Sequence, residues 1–286
     1  MKSDPIRMNQ IPRPLYDEIG SDLELHLVAL AGVDESSPTP RLVPAGSGTL
    51  VRIDAHHYVL TAGHVWAEVL AGFPMVAISA REDGVVTIPR DALTSKWMWY
   101  ETAPEWGPDL ALLQLAPSDA KRLERRKVFL NLREHRNRWL IDPLEVDWGV
   151  WAVTGMLGNL SIVTQVPEQR MIHAEIQVRA FFSGVDAQHE RDGYDYLDLG
   201  VDRTDAPVQE LVAREGDTTF GGMSGGGLWQ IPIHRDATGA IVWDGAKHLR
   251  GVAFWESAPH DRRQEIRGHG PRSLFERVWK EWKLPE

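Results

Sequence analysis

The chain has 286 residues, a formal net charge of −10 and no cysteine. This length is enough for a sizeable core in one large domain or two smaller ones. Lack of cysteine excludes disulfide bonds and thiol chemistry, and the negative charge argues against nucleic acid as a general partner. The first residues lack the apolar core of a signal peptide, and no apolar stretch approaches the length of a membrane span. We therefore expect a cytoplasmic protein without a membrane partner.

Residues 1–20 are interpreted as a loosely attached arm, and residues 21–116 as a β unit. The evidence for strands is a series of short apolar runs broken by turn residues, which favours a barrel or sandwich over helices. These runs read LELHLVAL, SGTLVRI, HYVLTA, PMVAISA, GVVTIP and DLALLQL.

Residues 117–147 differ in character, because their first part, 117–139, is rich in Lys and Arg and has no glycine. This composition predicts one or two basic helices that connect two halves of the chain. A solvated surface is the simplest interpretation of the charge, and a docking face for an acidic partner is the alternative.

Short apolar runs return over residues 148–270 and predict a second β unit, within which residues 183–217 are acidic and rich in turn residues. Residues 271–286 predict a C-terminal amphipathic helix. The apolar side chains that share one face of that helix are Leu274, Phe275, Val278, Trp279 and Trp282.

The stretch GGMSGGG, residues 221–227, places Ser224 among five glycines. Glycine is used where backbone must approach another group closely or adopt a positive φ. Both needs arise around a nucleophilic serine, whose neighbouring N–H groups must point at a developing oxyanion. A glycine-rich turn between two strands is the alternative interpretation.

A nucleophilic serine needs a base, and the base needs an orienting acid. In YVLTAGHVW, His64 follows a strand at the point where the chain leaves the sheet. In GPDLALLQL, Asp109 directly precedes an apolar strand. An aspartate there can accept a hydrogen bond from an imidazole and fix its tautomer. The sequence therefore offers His64, Asp109 and Ser224 as candidate catalytic residues.

These motifs, in this order, resemble those of the chymotrypsin-like (trypsin-like) serine peptidases. SGTLVRI, WAVTG and GVAFWES are also similar to strands of that family. The resemblance implies two six-stranded antiparallel β-barrels with the triad in the cleft between them, here joined by the helical insertion and followed by the C-terminal helix. It also implies an oxyanion hole formed by the N–H groups of Gly222 and Ser224.

The resemblance places the primary specificity pocket at Thr218, Thr219 and Phe220, and along the strand Phe254, Trp255 and Glu256. A pocket for Lys or Arg normally needs a carboxylate at its base, and Thr218 supplies only a hydroxyl. We therefore expect cleavage after small or medium uncharged residues.

Three residues depart from the family pattern, namely Met223 before the serine, Gly227 after the Gly-Gly pair, and Phe254 where a serine is usual. They lead us to expect a less rigid oxyanion hole. Met223 also cannot form the ion pair with a new α-amino group that activates secreted animal members of the family. No N-terminal zymogen cleavage is therefore expected.

Two other functions fit parts of the sequence. Residues 222–226 also match the G-x-S-x-G motif of α/β-hydrolases, but the apolar run GLWQIPI follows where that elbow opens a helix. The second alternative is a catalytically weak or inactive protein of the same fold that binds peptides or acts as a scaffold. The leading hypothesis is a serine endopeptidase acting on polypeptides, with no cofactor and no metal. Segments 117–139 and 183–217 are candidate contacts for a regulatory protein.

Overall fold

The computed structural model describes residues 6, 10–36, 40–80, 85–101, 105–157, 162–166, 171–175, 178–202, 220–258, 260 and 263–285. Within these ranges β-strands dominate, and short helices precede, connect and follow them. Across the same ranges, no helix is both long enough and apolar enough to pass through a membrane.

Helix α1 (Arg13–Glu24) overlaps residues 1–20, for which the sequence predicts a loosely attached arm. Its side chains Ile19 and Leu23, four residues apart on one face, are fully buried in a cluster with residues from both halves of the chain. The ring of Tyr16 lies 4.3 Å from that of Phe182. The interpretation as an arm is therefore wrong for residues 13–20. The prolines and charged residues of this segment obscure the apolar spacing of a short amphipathic helix.

The first half of the chain forms one curled sheet. Its strands are β1 (Leu27–Asp34), β2 (Arg41–Ile53), β3 (His56–Thr61), β4 (Met75–Ser79), β5 (Val85–Pro89), β6 (Thr94–Trp99) and β7 (Asp109–Gln114). They lie in the order β5–β4–β1–β2–β3–β7–β6, antiparallel throughout. Ile88 of β5 and Leu113 of β7 share one buried cluster, so the sheet curls around this core, to which Tyr196 and Phe254 of the second half also contribute. Within the described residues, however, no pairing of β5 with β6 closes it into the expected barrel.

The connection between the halves contains helices α2 (Pro117–Leu123) and α3 (Leu132–Ile141), as the sequence predicts. Between them the short strand β8 (Leu130–Asn131) pairs in parallel with β2. Part of the basic charge has partners within the chain. Arg133 pairs with Asp54 at 2.8 Å, and Arg136 donates to the carbonyl of Phe275 at 3.0 Å.

The second half contains a closed six-stranded antiparallel barrel in the order β12–β13–β18–β17–β14–β9. The strands that follow β8 are β9 (Val150–Met156), β10 (Ile162–Val166), β11 (Met171–Glu175), β12 (Val178–Arg191), β13 (Tyr194–Asp202), β14 (Gly227–Ile231), β15 (Ile233–Arg235), β16 (Ile241–Trp243), β17 (His248–Glu256) and β18 (Arg263–His269). The β10–β11 and β15–β16 pairs are separate hairpins. One of the two expected barrels is thus present.

The described part of the acidic segment, residues 183–202, is the β12–β13 hairpin. Several of its carboxylates pair with arginines of β18 or just beyond it. Asp198 pairs with Arg267 at 2.6 Å, and Glu190 with Arg272 at 2.7 Å. The acidity of these residues is therefore largely balanced within the barrel. Residues 203–217 lie outside the described residues.

The chain ends in a helix with a π-type first part, Ser273–Val278, which continues as α4 (Trp279–Glu281). Asp195 accepts hydrogen bonds from the backbone N–H groups of Arg272 (3.1 Å) and Ser273 (2.5 Å), and so satisfies donors at the start of the helix. The predicted apolar face is confirmed, since all five of its side chains are buried.

Candidate functional site

His64 and Asp109 meet at one end of the first sheet. Strands β3 and β7 are neighbours, with Thr61 opposite Ala111, so Asp109 lies just beyond the end of β3, where the chain turns into His64. His64 Nδ1 is 2.7 Å from Asp109 Oδ2, and the His64 backbone N–H donates to Oδ1 at 2.8 Å. A carboxylate only accepts hydrogen bonds. The proton is therefore assigned to Nδ1, which leaves Nε2 as an acceptor.

Burial strengthens this pair. The side chain of Asp109 is 2% exposed, whereas that of His64 is 22% exposed. The glycine before the histidine is also required, because a Cβ on Gly63 would lie 2.3 Å from the carbonyl oxygen of Met98 and 3.1 Å from Asp109 Oδ1. The His64–Asp109 contact is thus built into a tightly packed junction and presents the far edge of the imidazole toward solvent.

The glycines around Ser224 serve close packing and unusual backbone angles. Gly222 and Gly225 have φ values of +97° and +91°, a region that other residues rarely adopt. A Cβ on Gly225 would lie 2.0 Å from the carbonyl oxygen of Ser47, and one on Gly226 only 1.6 Å from that of Thr154. Both needs that the sequence suggested are therefore present in this loop.

Hydrogen bonds fix the serine loop to both halves of the protein. The N–H of Ser47 donates to the Ser224 carbonyl and its hydroxyl to the Gly222 carbonyl, each at 2.7 Å. The N–H of Gly225 donates to the Ala253 carbonyl, also at 2.7 Å. These bonds restrain a loop whose composition led us to expect less rigidity. Ser47 was missed by the sequence reasoning, although it lies in the noted stretch SGTLVRI.

Met223 fixes the loop from the opposite side. Its side chain is 2% exposed and packs in the core of the second barrel. A Cβ on Gly155 would lie 2.8 Å from Met223 Cγ, so the glycine makes room for it. At this position, hydrophobic burial holds the residue that precedes the serine.

The hydroxyl of Ser224 donates to the backbone carbonyl of Phe254 at 3.3 Å. Within the described residues, Ser224 Oγ makes no other hydrogen bond and is not bonded to His64. The serine loop nevertheless lies beside the segment that carries His64. A Cβ on Gly46 would lie 2.7 Å from a methyl group of Val65, the residue after His64, and 2.8 Å from the Ser224 carbonyl oxygen.

The two N–H groups expected to form the oxyanion hole belong to Gly222 and Ser224. Neither has a hydrogen-bond acceptor in the part of the chain that the structure describes. The carbonyls of the same residues are both engaged by Ser47. Ser47 thus holds these two residues through their carbonyls and not through their N–H groups.

A small cavity of about 40 Å³ opens beside Ser224, room for roughly three water molecules. Four of the six predicted substrate-binding residues line it, namely Phe220, Phe254, Trp255 and Glu256. Thr218 and Thr219 lie outside the described residues. Met223, Ala253 and Ile266 complete much of the apolar wall.

Among the described residues, Glu256 is the one carboxylate on the wall of this cavity. Burial raises its pKa, and a hydrogen bond from the backbone N–H of Phe220 acts in the opposite direction. Gln264 Nε2 donates to Glu256 Oε2 at 3.1 Å. The side chain is therefore held in place by neutral groups, and its uncharged form is favoured more than that of an exposed glutamate.

Two residues of β18 support the site and were missed by the sequence reasoning. The guanidinium of Arg267 lies 4.9 Å from the centre of the Trp255 ring and 4.0 Å from that of Trp106, and it also pairs with Asp198. Nε2 of His269 accepts a hydrogen bond from the backbone N–H of Asp109 at 2.9 Å. Neither residue belongs to a recognisable motif, so no signal in the sequence pointed to them.

Among the residues that the structure describes, no group of three His, Asp or Glu side chains is placed to hold a metal ion. Neither a scan against protein-family models nor a search of curated proteins finds a match for this chain.

Proposed function

We propose that the protein is a serine endopeptidase that cleaves polypeptides through an acyl-enzyme intermediate. The observation that carries this proposal is the buried Asp109 carboxylate bonded to His64 Nδ1, beside a glycine loop that presents Ser224 at the mouth of a small cavity. A base oriented by a buried acid is the arrangement that activates a hydroxyl nucleophile.

In the proposed reaction, Ser224 Oγ turns from the Phe254 carbonyl toward His64 Nε2. Oγ then attacks the scissile carbonyl carbon while its proton passes to Nε2. The tetrahedral oxyanion accepts hydrogen bonds from the N–H groups of Gly222 and Ser224, as the family resemblance implies. Collapse breaks the C–N bond, and His64 returns the proton to the leaving amine. Water then hydrolyses the acyl-enzyme by the same steps.

The missing Ser224–His64 hydrogen bond is compatible with this mechanism. Catalytic hydrogen bonds are often long or misaligned without substrate and form only in the Michaelis complex. The closed barrel and the curled sheet also support a double-barrel architecture of the chymotrypsin type. The site then lies where elements of the two units meet.

One observation favours the alternative of an inactive peptide-binding protein. The hydroxyl of Ser224 is bonded to the Phe254 carbonyl, and a nucleophile held there permanently would not react. In that case the cavity and the serine loop would bind an extended peptide without cleaving it.

Labelling with a fluorophosphonate probe distinguishes the two functions, because an activated serine attacks phosphorus and displaces fluoride. Wild-type protein should gain the adduct mass, and Ser224→Ala should not. Ser36→Ala, which alters an exposed serine, is the matched control and should label normally. Asp109→Asn should slow peptide hydrolysis by about 10⁴-fold, since it permits the wrong imidazole tautomer.

Absence of Ser224-dependent labelling in folded wild-type protein would favour the peptide-binding alternative. Labelling without hydrolysis of any peptide in a broad library would retain the activated serine but reject peptidase activity.

A further inference from the structure

His269 ends strand β18 and is completely buried, yet it is a polar residue. Its Nε2 accepts the hydrogen bond from the Asp109 backbone N–H at 2.9 Å. The two residues are 160 positions apart and belong to different halves of the chain. His269 therefore joins the barrel directly to the residue that orients His64.

The same ring also contacts the strand next to the nucleophile. It stacks on Phe254 with centroids 4.8 Å apart and an interplanar angle of 29°. The carbonyl of Phe254 is the acceptor for Ser224 Oγ. Tyr196 closes another side of the ring, at 5.1 Å. One side chain thus touches both the backbone of Asp109 and the residue that holds the Ser224 hydroxyl.

The protonation state of His269 follows from these contacts. Burial lowers its pKa to about 3, so the ring is neutral. Because Nε2 accepts, the single proton lies on Nδ1. Nδ1 is buried and has no hydrogen-bond partner in the described residues. A buried donor without a partner destabilises the fold, so an apolar side chain at this position would give a more stable fold.

We propose that His269 is a positioning residue, which fixes Asp109 relative to the Phe254 strand and thereby aligns the carboxylate with His64. It touches no reacting atom and acts through Asp109. Fixing the Asp109 N–H restrains the Cα from which the carboxylate extends. This inference rests on the proposed function, since the alignment matters for turnover only if His64 acts as a base.

Two near-isosteric variants separate the acceptor from the packing. His269→Leu fills the site with an apolar side chain and removes the acceptor, whereas His269→Gln supplies an amide oxygen as acceptor near the position of Nε2. We expect His269→Leu to lower kcat about 10- to 100-fold with little change in KM, because a small displacement of a group that aligns the catalytic residues can cost up to about 100-fold in rate. His269→Gln should retain kcat within about threefold, given the same acceptor.

A control variant accounts for loss of stability alone. Leu42→Ala removes a buried side chain from a cluster that contains no residue of the site and should lower stability without changing kcat. The proposal is overturned if His269→Gln loses as much activity as His269→Leu, or if Leu42→Ala, at equal stability, loses as much as His269→Leu.

Nuclear magnetic resonance tests the proposal without using activity. The ¹⁵N shifts of His269 in the wild-type protein should show an unprotonated Nε2 and a protonated Nδ1. The proton on His64 Nδ1 should give a low-field signal that shifts in His269→Leu and is restored in His269→Gln. A protonated Nε2 on His269 would refute the contact even if neither variant folded. Failure of the proposed function would appear separately, as wild-type protein that lacks Ser224-dependent labelling.

Discussion

Gly225→Ala tests why the serine loop is rich in glycine. Gly225 has φ +91°, and an added Cβ would lie 2.0 Å from the Ser47 carbonyl oxygen and 2.1 Å from Thr61 Oγ1. An ordinary carbon–oxygen contact is about 3.3 Å, so one partner must move by about 1.3 Å. The closest obstacle is backbone, which cannot rotate away as a flexible side chain can.

The expected loss of stability has two parts. A positive φ costs alanine about 1–2 kcal/mol, of which about 0.4–1 kcal/mol is offset because alanine also restricts the unfolded chain. Relief of the overlap would break the Gly225 N–H bond to Ala253 or the Ser47 N–H bond to Ser224. Each buried group left unpaired costs about 1–3 kcal/mol more. The free energy of unfolding should fall by about 3 kcal/mol, against the roughly 5–15 kcal/mol of a typical domain.

Two other glycines provide matched controls. Gly239 has φ +85° but no atom near an added Cβ, and Gly184 has neither a positive φ nor a nearby atom. Denaturant unfolding should therefore rank the three alanine variants. Gly184→Ala should be near neutral, Gly239→Ala should lose about 1 kcal/mol, and Gly225→Ala should lose the most. Only Gly225→Ala should also lose fluorophosphonate labelling, because it displaces the residue next to Ser224.

A Gly225→Ala protein that is no less stable than Gly239→Ala, or that labels as fast as wild type, would refute this explanation of the glycine at position 225. The first result would mean that the loop relaxes without losing hydrogen bonds. The second would mean that the position of the loop does not control the reactivity of Ser224.

Three further predictions concern specificity, activation and pH. A peptide library should show cleavage after small or medium uncharged residues, because the cavity beside Ser224 is only about 40 Å³. Glu256→Gly should shift the preference toward larger side chains, and a dominant Lys or Arg preference in wild type would contradict the assignment of this cavity as the specificity pocket. Protein with a blocked N-terminus should label as fast as unblocked protein, since Met223 is buried and cannot pair with an amine; labelling only after trimming would argue otherwise. Burial lowers the pKa of His135 from 6.5 to about 3, so the unfolded state binds the proton first and the free energy of unfolding should fall as pH drops below about 6.5. In urea titrations, this dependence of the free energy of unfolding on pH should be weaker for His135→Gln than for wild type, and unchanged for the exposed His234→Gln.

Local features of this protein could be predicted from its sequence alone. The C-terminal apolar face follows from spacing along a single helix. The strands could be located because short apolar runs are bounded by turn residues. His64 and Asp109 could be paired because each stands at the end of a strand, and the structure places them 2.7 Å apart. The preference for glycine at the positive φ values of Gly222 and Gly225 is also local, since φ is a property of a single residue.

Features that depend on long-range contacts became visible only in the folded protein. These include the burial of α1 between the halves, the pairing that closes the second sheet but leaves β5 and β6 apart, and the direction of the Ser224 hydroxyl. Neither Ser47 nor His269 was identified from the sequence, because each acts on a residue more than 150 positions away. A sequence pattern indicates only the local conformation that one segment favours. Which backbone N–H meets which acceptor is fixed only when distant strands pack and every buried polar group must find a partner.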